Sequence, residues 1–364
     1  MIKLLSKIAI YAALAAAALY GLLLAVAWLL SFHPPDVKQE TPVCKGPAPE
    51  LQPGRTVKVL SWNVQYMAGK DYHFFYEGGT DRRPSESAIR RTTEKIARII
   101  AEEDPDIILL QEVDHGARRT DYRNQIADLM EALPEKWPCR ASAWYWKAGF
   151  VPHPDIMGSV GMKLVTLSKY RIEKATRHQL PLLNEGPLRR QFNLKRAVLD
   201  SRLQVEGGSD FAVLNTHLSA FARESRTMEK QVAEVKKILD RLSEKQIPWV
   251  AGGDFNLLPT ADDYMRLPPE ERYLYRPETE IRPLFEDYQA VPGINELNRQ
   301  DPSAWYTHLP NRPSVDRPNK TIDYIFYPDS VTLGKHGVRQ ENTWKLSDHL
   351  PVIAEFKLPE GRRK

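Results

Sequence analysis

Cysteine is scarce in this 364-residue chain. Cys44 and Cys139 are the only two, too few and too far apart for a zinc motif. In an oxidising compartment they can pair and fasten the N-terminal stretch to the rest; as free thiols they would be structural, and spacing leaves both readings open. Charge of one sign is also sparse. The formal net charge is +4, and Lys3 and Lys7 supply half of it. That is a poor basis for a generally basic nucleic-acid-binding surface and leaves only local patches to argue from. No short repeat is visible, so strands and helices fall in one continuous region, about Thr56 to Leu358.

Long apolar runs are equally rare, with one exception. Ile8 to Leu30 contains no formally charged residue and at helical rise is long enough to cross a bilayer. Lys3 and Lys7 precede it and Asp36 follows, which predicts a cytoplasmic N-terminus and a main domain on the far side. A cleaved signal peptide is the competing reading. The run is long for one, and no small-x-small site follows Trp28-Leu29-Leu30, so an uncleaved anchor over residues 1–30 is expected. Pro34, Pro35, Pro42, Pro47, Pro49 and Pro53 mark residues 31–55 as an extended spacer. A basic tail, 359–364, closes the chain.

The intervening region, 42% hydrophobic and 27% charged over the whole chain, is globular in composition. Val57 to Val64 reads as a first core strand and Ile107 to Val113 as a second. Between them, apolar residues recur at helical spacing from Ile89 to Ile100, with a stop at Asp104-Pro105. A further helix is expected between Asp114 and Ala132, with His115, Arg118, Arg119 and Arg123 facing solvent. Strands are expected in the aromatic segment Trp137 to Phe150, then over 161–169, 192–203 and 211–216, with a turn at Gly207-Gly208. An amphipathic helix begins near Glu224. The apolar run Val250-Ala251-Gly252-Gly253 then leads into Asp254-Phe255-Asn256. Residues 259–293 read as connection and decoration.

Several of these strands end in groups that carry chemistry. Asp254 and Asn256 share one face of a strand end by period-2 geometry, and oxygen donors so spaced suit a hard divalent cation or a phosphate. Glu112 follows four aliphatic residues directly, where burial demands compensation. Asn63, His217, Asp348 and His349 stand at or beside other strand ends, and Asp323 lies inside the strand expected over Thr321 to Tyr327. A His–Asp pair fixes an imidazole tautomer and favours its charged form.

Taken together, Ser61-Trp62-Asn63, Leu110-Gln111-Glu112-Val113, Asn215-Thr216-His217, Gly253-Asp254-Phe255-Asn256, Ile322-Asp323-Tyr324 and Ser347-Asp348-His349 resemble the endonuclease/exonuclease/phosphatase superfamily. The resemblance implies an α+β fold, a four-layer α/β/β/α sandwich of two facing mixed sheets, here preceded by one transmembrane helix. It implies that Asn63, Glu112 and Asp348 bind metal, with Glu112 the principal ligand. Asp254 would orient or activate water with Asn256, His217 would face a phosphoryl oxygen, and Asp323 and His349 would form an acid–base pair. The implied cofactor is Mg²⁺, with Mn²⁺ a substitute and one or two ions left open. Thr321 stands where the family commonly has an arginine-like residue, which puts substrate contacts in question. His217 is similar to the nuclease and sphingomyelinase branches rather than the abasic-site repair branch.

The expected function is a metal-dependent phosphoesterase, a phosphodiesterase in preference to a phosphomonoesterase, at the outer face of a bacterial inner membrane. Phospholipid headgroups, nucleic acid and soluble inositol phosphates are the candidate substrates. An inactive membrane-tethered binding protein is the alternative from another class. The membrane is the expected partner, and no obligate protein partner is implied.

Overall fold

The computed structural model describes residues 2–207, 209–220 and 225–360. Helix α1 spans Ile2–Leu30 and is apolar over nearly its whole length. It is long and apolar enough to cross a membrane, and little of it is buried against the rest of the chain. Two short strands follow, β1 (Val37–Glu40) and β2 (Val43–Cys44). Next come β3 (Thr56–Asn63), helix α2 (Glu86–Glu103) and β4 (Ile107–Asp114). Helix α3 (Gln125–Ala132) leads to β5 (Cys139–Val151), β6 (Gly158–Ser168) and β7 (Ile172–Gln179).

A short helix, α4 (Pro187–Phe192), precedes β8 (Ala197–Val205) and β9 (Ser209–His217). Helix α5 (Thr227–Glu244) returns the chain to β10 (Trp249–Asp254). The last strands are β11 (Gln289–Val291), β12 (Asp323–Tyr327), β13 (Thr332–Val338) and β14 (Val352–Lys357). They form two seven-stranded mixed sheets, ordered β13-β14-β3-β4-β6-β5-β2 and β1-β7-β8-β9-β10-β12-β11.

Period-2 alternation builds the layers. In β3 and β4, Val57, Val59, Ile107 and Leu109 face the other sheet, while Leu60, Trp62, Ile108 and Leu110 pack under α2 and α3. In β10, Val250 joins the inter-sheet core, while Trp249 and Ala251 pack under α5. The result is the four-layer sandwich expected from sequence, with helices on both outer faces.

At one end the two sheets come unusually close. A Cβ on Gly252 would lie 2.9 Å from Leu109 Cδ1 and 3.3 Å from Ser61 Cβ; one on Gly253 would lie 2.0 Å from the Thr216 carbonyl oxygen. The two glycines before Asp254 are therefore required by the approach of neighbouring backbone and of the facing sheet. Asn215 stitches the same end: it donates from Nδ2 to the carbonyls of Leu110 (3.0 Å) and Val165 (2.9 Å), and its Oδ1 accepts from Gln111 Nε2 at 2.8 Å.

Three expectations change and one open reading, that of the cysteines, is resolved. Residues 31–55 are extended but not a free spacer: β1 adds to β7 and β2 to β5, and Leu51 is fully buried. Cys44 and Cys139 form a disulfide across the β2–β5 pair. The helix expected from Asp114 is α-helical only from Gln125, because β4 runs on through Asp114, whose carboxylate is buried. The strand expected from Phe192 begins at Ala197, since Phe192 closes α4. Gly208 of the expected turn, Glu224 and the end of the basic tail, residues 361–364, lie outside the described residues.

The disulfide closes a loop of 95 residues in sequence separation. Replacing both cysteines by serine should lower unfolding stability by about 2–5 kcal/mol. Thermal melts of wild type and double variant, with and without reductant, check this, and reductant should destabilise only the wild type.

Candidate active site

Strand register assembles the site before any side chain is considered. β10 pairs in parallel with β9 and antiparallel with β12, so that Asp254 stands opposite His217 on one side and Asp323 on the other. Three of the residues singled out in the sequence are thus cross-strand neighbours in one sheet. The facing sheet contributes Asn63 from the end of β3 and Glu112 from β4.

Asp254 is 1% exposed and is the hub. Its Oδ2 accepts from Asn63 Nδ2 at 3.0 Å and lies 3.1 Å from His217 Nε2 and 3.5 Å from His349 Nε2; its Oδ1 accepts the Asn256 N–H at 2.9 Å. Burial pushes its carboxyl pKa up, but His349 and His217 outweigh burial and hold it well below the usual carboxylate range. Asn63 also donates to Glu112 Oε1 at 3.2 Å, bridging the two acids. Its Oδ1 accepts the Gln65 N–H, so the amide turns nitrogen rather than oxygen toward the carboxylates.

His349 is buried and clamped from the opposite side. Its Nδ1 lies 2.8 Å from Asp323 Oδ2, which also accepts from Thr307 Oγ1 at 2.7 Å. Burial disfavours the imidazolium, yet Asp323 and Asp254 together push the pKa up to about 10. Asp323 rises to about 6, chiefly by burial and with help from Asp254, and His349 offsets only part of this. At neutral pH the two form an ion pair. His217 is different: burial and Arg196 lower its pKa, so the ring is neutral there. With Nε2–H directed at Asp254, its Nδ1 faces the Tyr145 hydroxyl at 3.3 Å.

Glu112 is aimed by an irregularity. The β4–β6 pairing slips between Leu110 and Val113, and Glu112 sits there at φ 58°. A non-glycine residue in the left-handed region costs about 1–3 kcal/mol and persists only where its surroundings enforce it. Its own N–H is held by the Tyr145 hydroxyl at 3.2 Å. The bulge swings the carboxylate out of the sheet, into the wall of a cleft of about 920 Å³ that Asp348 also lines.

All eight sequence-predicted residues therefore lie in one neighbourhood, Asn256 with its side chain engaged to the Leu218 carbonyl at 3.1 Å. Ligand atoms of Asp254, Asp323 and His349 fall within 4.8 Å of one another, as do those of His308, Asp348 and His349. Carboxylates in this density, with Glu112 and Asp348 facing an open cleft, make a donor set that fits a hard divalent cation.

Four contributors escaped the sequence reading. Arg119, expected in solvent, makes a two-pronged pair with buried Asp114 (2.8 and 2.9 Å), and its guanidinium lies 3.5 Å from the Tyr66 ring centroid. Thr307 braces Asp323. His308 packs edge-to-face on His349 with centroids 4.7 Å apart. Arg196 lines the cleft beside Glu112, buried, and its Nε and Nη1 have no hydrogen-bond partner among the described residues. Only Arg196 carried a signal, a charge directly before an apolar strand.

Residues 60–349 match the family model described as the endonuclease/exonuclease/phosphatase family. Solved structures share the fold. One from Beutenbergia cavernae, an endonuclease/exonuclease/phosphatase, is 22% identical at TM-score 0.57, covering 84% of this chain and 72% of that one. The human Nocturnin catalytic domain, solved with a bound sulfate anion, is 18% identical at TM-score 0.51, covering 87% and 97%. A Leptotrichia buccalis family protein is 18% identical at TM-score 0.51, covering 83% and 100%. No match was found among curated protein sequences. The chain belongs to the endonuclease/exonuclease/phosphatase family, whose members are generally phosphoesterase hydrolases and commonly use a divalent metal.

The raised pKa of His349 has a pH signature in the metal-free protein. Such a group contributes stability that is fully present below its unfolded value, roughly 6.5, and is lost as pH rises through about 10. Imidazole NMR should find His349 still protonated at pH 8, and Asp323→Asn should bring its titration down toward the ordinary range. A His349 signal that titrates normally in the wild type would refute the ion pair.

Proposed function

We propose that the protein is a Mg²⁺-dependent phosphodiesterase acting at the outer face of the membrane that α1 crosses, with phospholipid headgroups as substrate. The observation that carries the reading is the convergence of Glu112, Asp254, His217 and His349, from strand ends of both sheets, behind one cleft. Glu112 and Asp348, with Asn63 once its amide turns, would hold the ion. When bound, it would neutralise phosphate charge and stabilise the transition state of hydrolysis.

The chain's own groups divide the remaining tasks. Asp254 accepts too many hydrogen bonds to be a strong base; it orients a water for in-line attack and holds both imidazoles in register. Neutral His217 donates its Nε2–H to Asp254 and keeps that carboxylate oriented, while imidazolium His349 supplies positive charge, and a proton, to the oxygen that leaves. The unpartnered nitrogens of Arg196 receive a phosphoryl oxygen. A cleft of about 920 Å³ has room for a diester, which has a substituent on both sides of phosphorus.

Two further observations support the location. The disulfide favours an oxidising compartment, which for a bacterial inner-membrane protein is the periplasm. The last turns of α1 pack on β5 and α4, which wall the cleft. Arginines on the cleft wall that a nucleic-acid backbone would use are paired within the chain: Arg119 with Asp114, Arg82 with Asp155, Arg83 with Asp121, and Arg118 with the Ile156 and Met157 carbonyls.

Hydrolysis should require Mg²⁺, cease with chelator, and fall by about 10²–10³ in Glu112→Gln and His349→Gln with the fold intact by circular dichroism. Phospholipids, single- and double-stranded DNA, RNA and inositol phosphates should be assayed in parallel. Salt-sensitive cleavage of nucleic acid without lipid hydrolysis would replace the lipid reading. Arg196→Gln should raise KM for a diester by about tenfold or more while the protein still folds.

A further inference from the structure

Helix α1 does not simply tether the domain; its last turns are built into the rim of the cleft. Ala27 is 2% exposed and Leu24, one turn earlier, is half-buried, so that one face of the helix packs on the protein while the rest stays bare. Ser31, just past its end, bridges to Ala148 of β5, and its hydroxyl donates to Gln191 Oε1 of α4 at 3.3 Å. Gly149 lies against Leu30: a Cβ there would be 3.7 Å from the Leu30 carbonyl oxygen and 3.9 Å from its Cδ2.

These contacts fix a depth. Ala27 is about 4–5 Å along the helix axis from Leu30, so whatever touches both lies at the membrane–water boundary if α1 spans the bilayer. Trp28, 53% exposed at the same level, is the residue type that favours that boundary. Next to these contacts, β5 and α4 expose Phe150 (37%) and Leu188 (37%), and the loop that follows β5 exposes Met157 (48%). Lys147, Arg189 and Arg190, all exposed, interleave with them. Apolar tips among cations suit a headgroup layer, where rings and alkyl chains enter and charges meet phosphate. The same β5–β6 hairpin and α4 supply Trp146, Met157 and Phe192 to the cleft wall.

We propose that Phe150, Met157 and Leu188 rest in the headgroup layer of the bilayer that α1 crosses, so that the cleft opens on that lipid surface and takes a phospholipid headgroup from it while the acyl chains stay in place. The choice of substrate rests on the lipid phosphodiesterase reading; the docking surface does not. Phe150 and Leu188 stand outside the cleft and touch no catalytic group, so their loss affects access alone.

The test uses the full chain in phospholipid nanodiscs. Phe150→Ser and Leu188→Ser should each slow hydrolysis of phospholipid in the disc by about tenfold, the loss expected for one buried apolar side chain, while turnover of the soluble diester bis(p-nitrophenyl) phosphate stays unchanged. Equal rates for wild type and variants on the disc substrate would overturn the proposal. A second measurement is independent of turnover. With the native cysteines paired, Leu188→Cys can carry an environment-sensitive dye, whose emission should shift to the blue in nanodiscs. Water-like emission overturns the docking surface whatever the activity. A blue shift with soluble diester turnover but no phospholipid hydrolysis keeps the surface and discards the lipid substrate.

Discussion

A carboxylate with 1% exposure is tolerable only if the protein supplies donors to it, and Asp254 imposes that demand on everything around it. The donors come from both sheets and from four separate stretches of chain: Asn63, His217, His349 and the Asn256 backbone. His217 and the Asn256 N–H belong to the same sheet, but Asn63 and His349 come from the side of the facing sheet and cannot reach Asp254 unless the sheets nearly touch at that end. Gly252 and Gly253 make room for the approach, and Asn215 holds it by satisfying backbone carbonyls on the opposite sheet. Close packing of the sandwich and the charge balance of the site are therefore the same constraint, seen once as shape and once as electrostatics.

That constraint explains why the two imidazoles differ. His349 lies between Asp323 and Asp254 and stays charged; His217 is near Asp254 and, at 3.9 Å, Glu112, but burial and the Arg196 cation outweigh them and it stays neutral. Environments that push like groups apart are how one site offers a fixed positive charge and a neutral hydrogen-bond donor at the same pH. Tyr145 couples the arrangement to the bulge at Glu112, since its hydroxyl meets both the Glu112 N–H and His217.

The strand ends were legible because apolar runs alternate with period 2 and terminate in polar groups that a buried sheet end cannot hold without purpose. Glu112 and Asp254 stand out on that pattern; Asp323, which opens its strand, gains its role only through the family resemblance. Arg119 could not: its burial depends on Asp114 and Tyr66, and a three-residue helical turn reads in sequence as solvent-facing. Thr307 and His308 lie in an irregular stretch with no period, and their value comes from partners 16 and 41 positions away. Prolines mark the stretch after α1 as extended chain without saying that a sheet edge lies alongside, and β1 and β2 are the part they hide.

That stretch has a consequence of its own. An open sheet edge is a template for pairing with another polypeptide. Residues 37–44 cover one margin of each sheet with a strand of four residues and a strand of two, the first displaying Lys38 and Glu40. Pieces so short and so charged offer little for a neighbour to zip onto. The segment that follows α1 thereby leaves neither of those two margins as a ready template for a second copy of the chain.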